Sequence, residues 1–171
     1  MDLISEEYRQ QNAELHRSGR YGRWGYREAE NIVKTAKEFR CESILDFGAG
    51  QGTLSKTISL PVTNYDPAIE EYSELPTSKF DLVVCSDVLE HVEPEYLDNV
   101  LETIRSLTEK VAYFVIATSL DGTKTLPDGR DPHLIVEDGE WWVDRIYEHL
   151  PVYRYYKQDR REAVVIIALN K

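Results

Sequence analysis

A run of glycines, two aspartates and two histidines are the residues of this 171-residue chain best suited to chemistry. Asp46 stands two positions before Gly48-Ala49-Gly50-Gln51-Gly52, at the end of the apolar stretch that begins Ile44-Leu45. Glycines lack a Cβ and let a backbone approach a ligand closely, and a helix start beyond them presents free N–H groups. A dinucleotide fingerprint needs its third glycine where this chain has Thr53; the pattern here is Gly48-x-Gly50-x-Gly52. Asp66 ends a second short strand-like stretch, Val62–Tyr65, and stands 18 positions beyond Gly48. His91, in Asp87-Val88-Leu89-Glu90-His91, and His133, in a polar loop, are candidates for proton transfer. Each has a plainer alternative: a backbone hydrogen bond for a histidine, turn or cap chemistry for an aspartate. Asp87, Glu90 and His91 are also metal-ligand types, and Asp87 and His91 would share a face were the segment helical. No third ligand is evident and no metal is expected.

The elements that must position these residues follow from periodicity. Residues 3–16 are polar with a few apolar positions and predict a helix lying on the surface. Gly19, Gly22 and Gly25 interrupt the aromatic, basic segment holding Arg20, Tyr21 and Trp24, which cannot be a helix interior and could be a mobile lid that excludes water. Residues 27–39 carry apolar side chains at helical spacing. Residues 43–47, 62–65, 80–85 and 111–117 predict strands, the last two apolar almost throughout, as strands buried on both faces are. A helix is expected at 53–59, stopped by Pro61; Pro94 should open another, with Leu97, Val100, Leu101, Ile104 and Leu107 as its buried face. A helix at 139–150 stops at Pro151; of its adjacent Trp141 and Trp142, one should be core and the other free to line a pocket, with core packing the default for the pair. Two β-rich runs, 152–156 and 163–169, close the chain. The expected fold is α/β: a Rossmann-like open sheet, mostly parallel, with an antiparallel C-terminal edge hairpin. One domain, 1–171, is expected, with residues 1–40 as N-terminal helices and lid and 41–171 as core.

The string Ile44-Leu45-Asp46-Phe47-Gly48-Ala49-Gly50-Gln51-Gly52-Thr53-Leu54 resembles motif I of class I S-adenosylmethionine-dependent methyltransferases. The order of elements resembles that family over most of the chain. Residues 80–92, ending Ser86-Asp87-Val88-Leu89-Glu90-His91-Val92, are similar to the fourth strand and following loop of its ubiquinone-biosynthesis and small-molecule branch. The segments around Thr125–Arg130, His133-Leu134-Ile135 and Trp141-Trp142 resemble a compact stand-alone subgroup without an assigned substrate. The resemblance implies S-adenosyl-L-methionine as cofactor, with Asp46, Gly48, Gly50, Gly52, Asp66 and Ser86 around it and Tyr21 covering it. Asp46 suits the cationic methionine end, and Asp66 the two ribose hydroxyls. His91, near the methyl group, and His133, in the loop that in this fold class often builds the substrate pocket, become the catalytic candidates. One departure stands out: only residues 67–79 join the second strand to the next, so the third strand is expected to be missing or vestigial and the adenine side loses its usual wall.

Charge narrows the partners. The 20 Lys and Arg against 31 Asp and Glu leave −11, which opposes a phosphate-binding surface and so a nucleic-acid substrate. Nucleic-acid methylating enzymes of the resembled class also carry Pro-Pro or Pro-Cys signatures that Ser86-Asp87-Val88-Leu89 and Val84-Cys85 lack. A small-molecule acceptor is expected, with a non-catalytic cofactor-binding module as the alternative. No apolar run approaches the ~18 residues of a membrane span. The acidic N-terminus and only two cysteines, Cys41 and Cys85, fit a reducing cytoplasm.

Overall fold

In the computed structural model, which describes residues 2–19, 21–158 and 162–170, six strands form one sheet in the order β2-β1-β3-β4-β6-β5. The strands are β1 (Ile44–Phe47), β2 (Val62–Tyr65), β3 (Phe80–Ser86), β4 (Thr108–Ala117), β5 (Val152–Gln158) and β6 (Ala163–Leu169). The four helices are α1 (Glu6–Arg17), α2 (Ala29–Glu38), α3 (Leu97–Leu107) and α4 (Gly139–Tyr147). β2, β1, β3 and β4 run parallel, while β6 pairs antiparallel with both β4 and β5. This is the Rossmann-like sheet with its antiparallel edge hairpin. Among the described residues none between 67 and 79 forms a strand; a short 3-10 turn, Glu70–Tyr72, takes that place. No helix of the described residues is long and apolar enough to cross a membrane.

The sheet is covered on both faces because its central strands are apolar on both. Along β3, Val83 and Cys85 face one layer while Leu82 and Val84 face the other. The first layer is closed by α3 and α4 through Leu101, Ile104, Trp142 and Ile146, the second by α2 through Ile32 and Ala36. Each such buried valine, leucine or isoleucine contributes roughly 1.5–3 kcal/mol of transfer free energy. Cys41 and Cys85 are buried, reduced members of these layers.

Two expectations are overturned here. Residues 53–59 form no helix: residues 50–57 run as successive turns. The hydroxyls of Ser55 and Thr57 donate to Gly52 O (3.0 Å) and Thr53 O (2.7 Å), competing locally for the carbonyls a helix needs. Leu54, wholly buried, still ties the segment to the core. Nor does α1 lie idle on the surface. Ser5 caps it by accepting from Tyr8 N (3.1 Å), and Tyr8 and Asn12 point inward, buried. Smaller differences are that Pro94 opens a 3-10 turn, Pro94–Tyr96, before α3 begins, and that α4 stops short of Leu150.

Candidate functional site

The chain runs from β1 to β2 on one side and then crosses to β3 on the other, so strand order reverses between β1 and β3. Past their carboxyl ends lies a cleft of about 550 Å³. Open α/β sheets bind ligands at that place. Its floor holds Asp46, Gly48, Gly50, Asp66 and Ser86, and its roof comes from the N-terminal residues Tyr8, Asn12, His16 and Tyr21.

The glycine turn is built against the protein itself. Gly48 N and Ala49 N both donate to Tyr65 O, at 2.8 and 2.9 Å, which pins the turn to the end of β2. Gly48 and Gly50 have φ of +80° and +52°, where side chains are strained. A Cβ on Gly48 would overlap the Val88 side chain, and one on Gly50 the Gly22 backbone. Gln51 N donates to Gly22 O (2.8 Å) and Thr53 Oγ1 to Arg23 O (3.2 Å). The segment expected to be a lid is therefore seated directly on the glycine turn; Arg20 lies outside the described residues. Gly52 does not line the cleft: a Cβ there would meet Asn64 Nδ2 at 2.9 Å.

Three acidic or hydroxyl groups occupy the floor. Asp66 Oδ2 accepts from Gly50 N (2.9 Å) and Oδ1 from Ala68 N (3.0 Å). Asp46, one strand away, is buried, and its Oδ2 has no partner among the described residues. Burial, then the Asp66 charge, pushes the Asp46 carboxyl up to about 7. Ser86 Oγ is likewise buried and without a partner. Native proteins seldom leave such atoms orphaned, and a bound group is one way in which they are satisfied. Asp87, Glu93 and Asp121 add to the acidic lining, against Arg27 and Lys124. The cleft suits a cationic guest.

At the far end, Glu90 and His91 sit in a 3-10 turn, Leu89–His91, directly after β3. Asp87, just before it, has φ of +56°, with its N–H donating to Val115 O (2.8 Å). Such strain concentrates at functional sites. Glu90 is wholly buried; Oε1 accepts from Ala117 N (3.0 Å), and its main-chain oxygen from Ile135 N (3.0 Å). These bonds bring the loop after β4 beside His91, so that His133, 42 residues on in sequence, stacks edge to face with it at 4.7 Å between ring centroids.

Hydrogen bonding fixes both rings. His91 Nδ1 lies 2.8 Å from Pro132 O, and His133 Nδ1 lies 2.6 Å from Ser119 O. A carbonyl only accepts, so each Nδ1 carries the hydrogen, and in the neutral ring Nε2 keeps a lone pair. Burial, then the neighbouring His133, holds His91 down to about 4, so it is neutral at pH 7. Tyr21 OH stands 3.2 Å from His91 Nδ1, and its ring packs edge-on against His16 and His91. Burial pushes its phenol well up.

Every sequence candidate except Gly52 lines this one cleft. Sequence reasoning missed Tyr8, Asn12 and His16. Tyr8 OH donates to His91 O (2.8 Å), and His16 Nε2 is 3.9 Å from Asp66 Oδ2, with burial holding its pKa down against the pull of Asp66. The signal was present: positions 8, 12 and 16 fall on one face of a helix. Neither tryptophan supplies the pocket wall that is the alternative to core packing. Trp142 is 0% and Trp141 37% exposed, and neither lines the cleft, because α4 covers the sheet face near β5 and β6.

An open, mostly parallel sheet with a glycine turn and two carboxylates at its switch point defines a Rossmann-like nucleotide-cofactor fold. A family profile described as methyltransferase domain matches residues 13–158, and the chain belongs to that family. Among solved structures, the chain is similar to Burkholderia thailandensis 1,6-didemethyltoxoflavin-N1-methyltransferase, crystallised with 1,6-didemethyltoxoflavin and S-adenosylhomocysteine. The TM-score is 0.69 at 18% identity, covering 100% of this chain and 92% of that one. It is also similar to magnesium protoporphyrin IX methyltransferase from Synechocystis PCC 6803, with bound S-adenosylhomocysteine (TM-score 0.61, 15% identity, 85% and 83% covered). An O-methyltransferase family protein from Burkholderia thailandensis gives a TM-score of 0.58 at 14% identity; 85% of this chain is covered, spanning 57% of that protein's length. No curated protein matches the sequence.

Proposed function

We propose that the cleft binds S-adenosyl-L-methionine and that the protein transfers its methyl group to a small-molecule acceptor. The observation that carries this reading is the pair of buried, unpartnered polar atoms, Asp46 Oδ2 and Ser86 Oγ, in an acid-lined cleft at the switch point. The residues fit the cofactor. A carboxylate beside a sulfonium and an ammonium gains charge-assisted contact that a neutral guest would not give it. Asp66 keeps a second lone pair on each oxygen after accepting Gly50 N and Ala68 N, enough for two ribose hydroxyls. The likeness of residues 80–92 to the small-molecule branch, and the paucity of cations, support a metabolite over a nucleic acid.

The bound cofactor supplies an electrophilic methyl group on sulfur. The chain's own part is to place the acceptor in line with it, which alone can contribute up to about 7–11 kcal/mol. His91 and His133 present Nε2 lone pairs in the same cleft and can take a proton from an acceptor, worth about 10²–10⁴-fold. Tyr8 and Tyr21 hold this end from above. Residues 21–25, seated on the glycine turn through Gly22 and Arg23, act as a cover that must lift to admit the guest.

Calorimetry with S-adenosylmethionine and S-adenosylhomocysteine tests the cofactor, and a labelled-methyl screen over small acceptors tests turnover. Binding of neither nucleoside would refute the reading. Binding without turnover would favour a cofactor-binding module, a reading motivated by the short connection at 67–79.

A further inference from the structure

We propose that Glu90, His91 and His133 form a binding site for a first-row divalent cation such as zinc, manganese or iron(II). One nitrogen from each imidazole and one carboxylate oxygen lie within 4.8 Å of one another. The sequence supplied only the first two ligands, and the third arrives from the loop after β4. That loop is held in place by Ile135 N donating to Glu90 O (3.0 Å) and by His91 Nδ1 donating to Pro132 O (2.8 Å).

The hydrogen bonds around the cluster are those that ligation needs. A ligating histidine normally donates its other ring N–H to a backbone carbonyl or carboxylate, which fixes the ring and the tautomer. Both histidines do so here, to Pro132 O and Ser119 O, leaving Nε2 as the electron-pair donor in each. Asp131 stiffens the second of them, accepting from His133 N at 2.9 Å and from Gly122 N at 2.9 Å. Glu90, wholly buried, is oriented by Ala117 N, and an oxygen accepting one N–H retains another lone pair.

Bonds of about 2.0–2.2 Å place neighbouring ligand atoms roughly 3.3–3.6 Å apart around a tetrahedral ion, so ligand atoms within 4.8 Å of one another close by up to about 1.5 Å. Two imidazoles and one carboxylate suit zinc, manganese or iron(II) better than magnesium or calcium, which prefer all-oxygen sets. All three residues line the cleft, so any further coordination position opens to water or to an oxygen of the guest. The Nε2 lone pairs that would otherwise accept a proton are then used for the metal.

The site does not depend on the methyl-transfer reading, and its test uses metal alone. Tag-free protein, stripped with a chelator, is titrated with Co²⁺ and followed by visible absorption and by zinc competition. One Co²⁺ per chain is expected, with at least a ~10-fold loss of affinity in His91→Ala and in His133→Ala. Glu90→Gln should weaken binding similarly. His149→Ala, which removes the surface histidine beside Asp98, should leave it unchanged. Circular dichroism of each variant separates a lost ligand from a lost fold, and a His133→Gln variant serves if the alanine form unfolds. Wild-type protein that takes up no Co²⁺ or Zn²⁺, or binding that survives both histidine substitutions, overturns the proposal. Cofactor calorimetry on the same stripped protein reads the methyl-transfer proposal separately.

Discussion

Asp46 concentrates the electrostatics of the floor. Its folded pKa, about 7, lies above the ordinary carboxyl value of 3.8, so between these values the folded state holds a proton that the unfolded chain has released. The contribution of Asp46 to stability is therefore greatest in acid and declines as pH rises to about 7. A cationic guest reverses the preference by favouring the carboxylate. Cofactor affinity should rise with pH, by up to about tenfold per unit, and level off above about 7. Calorimetry at several pH values checks this, and Asp46→Asn should bind more weakly and lose the dependence. His91 has the opposite sign. Its folded pKa of about 4 lies below the ordinary 6.5, so its contribution is intact above about 6.5 and falls, by roughly 1.4 kcal/mol per unit, as acidity increases toward 4. Urea unfolding across that range should show a shallower slope in His91→Gln than in wild type; equal slopes would remove His91 as the cause.

At the level of elements, the join between the N-terminal segment and the glycine turn is the vulnerable one. Gly50 combines a φ of +52° with direct contact to the Gly22 backbone. Gly50→Ala should cost about 1–3 kcal/mol in urea unfolding and speed proteolytic cleavage between residues 17 and 27. Saturating cofactor should slow that cleavage in the wild type. Unchanged cleavage would separate the segment from the site. The strands of the sheet were legible because the central ones are apolar on both faces, a pattern no other element of this length shares. Asp46, Gly48, Gly50 and Asp66 were legible for a related reason, since chemistry at a strand end needs fixed residue types at fixed spacing. The turns at 50–57 were not, because helical spacing is cheap to mimic and the hydroxyls of Ser55 and Thr57 decided locally. The meeting of His91 with His133 was hidden too, as it depends on a hydrogen bond from Ile135 across 45 residues to Glu90.

Across the whole molecule, most of the core lies away from the cleft and meets it along a narrow seam. Trp142 and its neighbours fill the layer under α3 and α4, whereas the cleft is bounded by strand ends, the loops after β3 and β4, and N-terminal residues such as Tyr8, His16 and Tyr21, with Phe47, Tyr65 and Val100 belonging to both. Trp142→Ala should lower unfolding free energy by about 3–5 kcal/mol while cofactor affinity, measured on the protein that remains folded, stays within a few-fold. A large loss of affinity in that folded fraction would show the two regions to be coupled.

The division has a bearing on ancestry and on engineering. Positions 8, 12, 16 and 21 form a ceiling whose side chains are not shared with the beams that carry the weight of the building. Tenancy can change hands by redecorating that short leader sequence, and a graft of it from a cousin ought to transplant taste in guests while leaving the masonry upright.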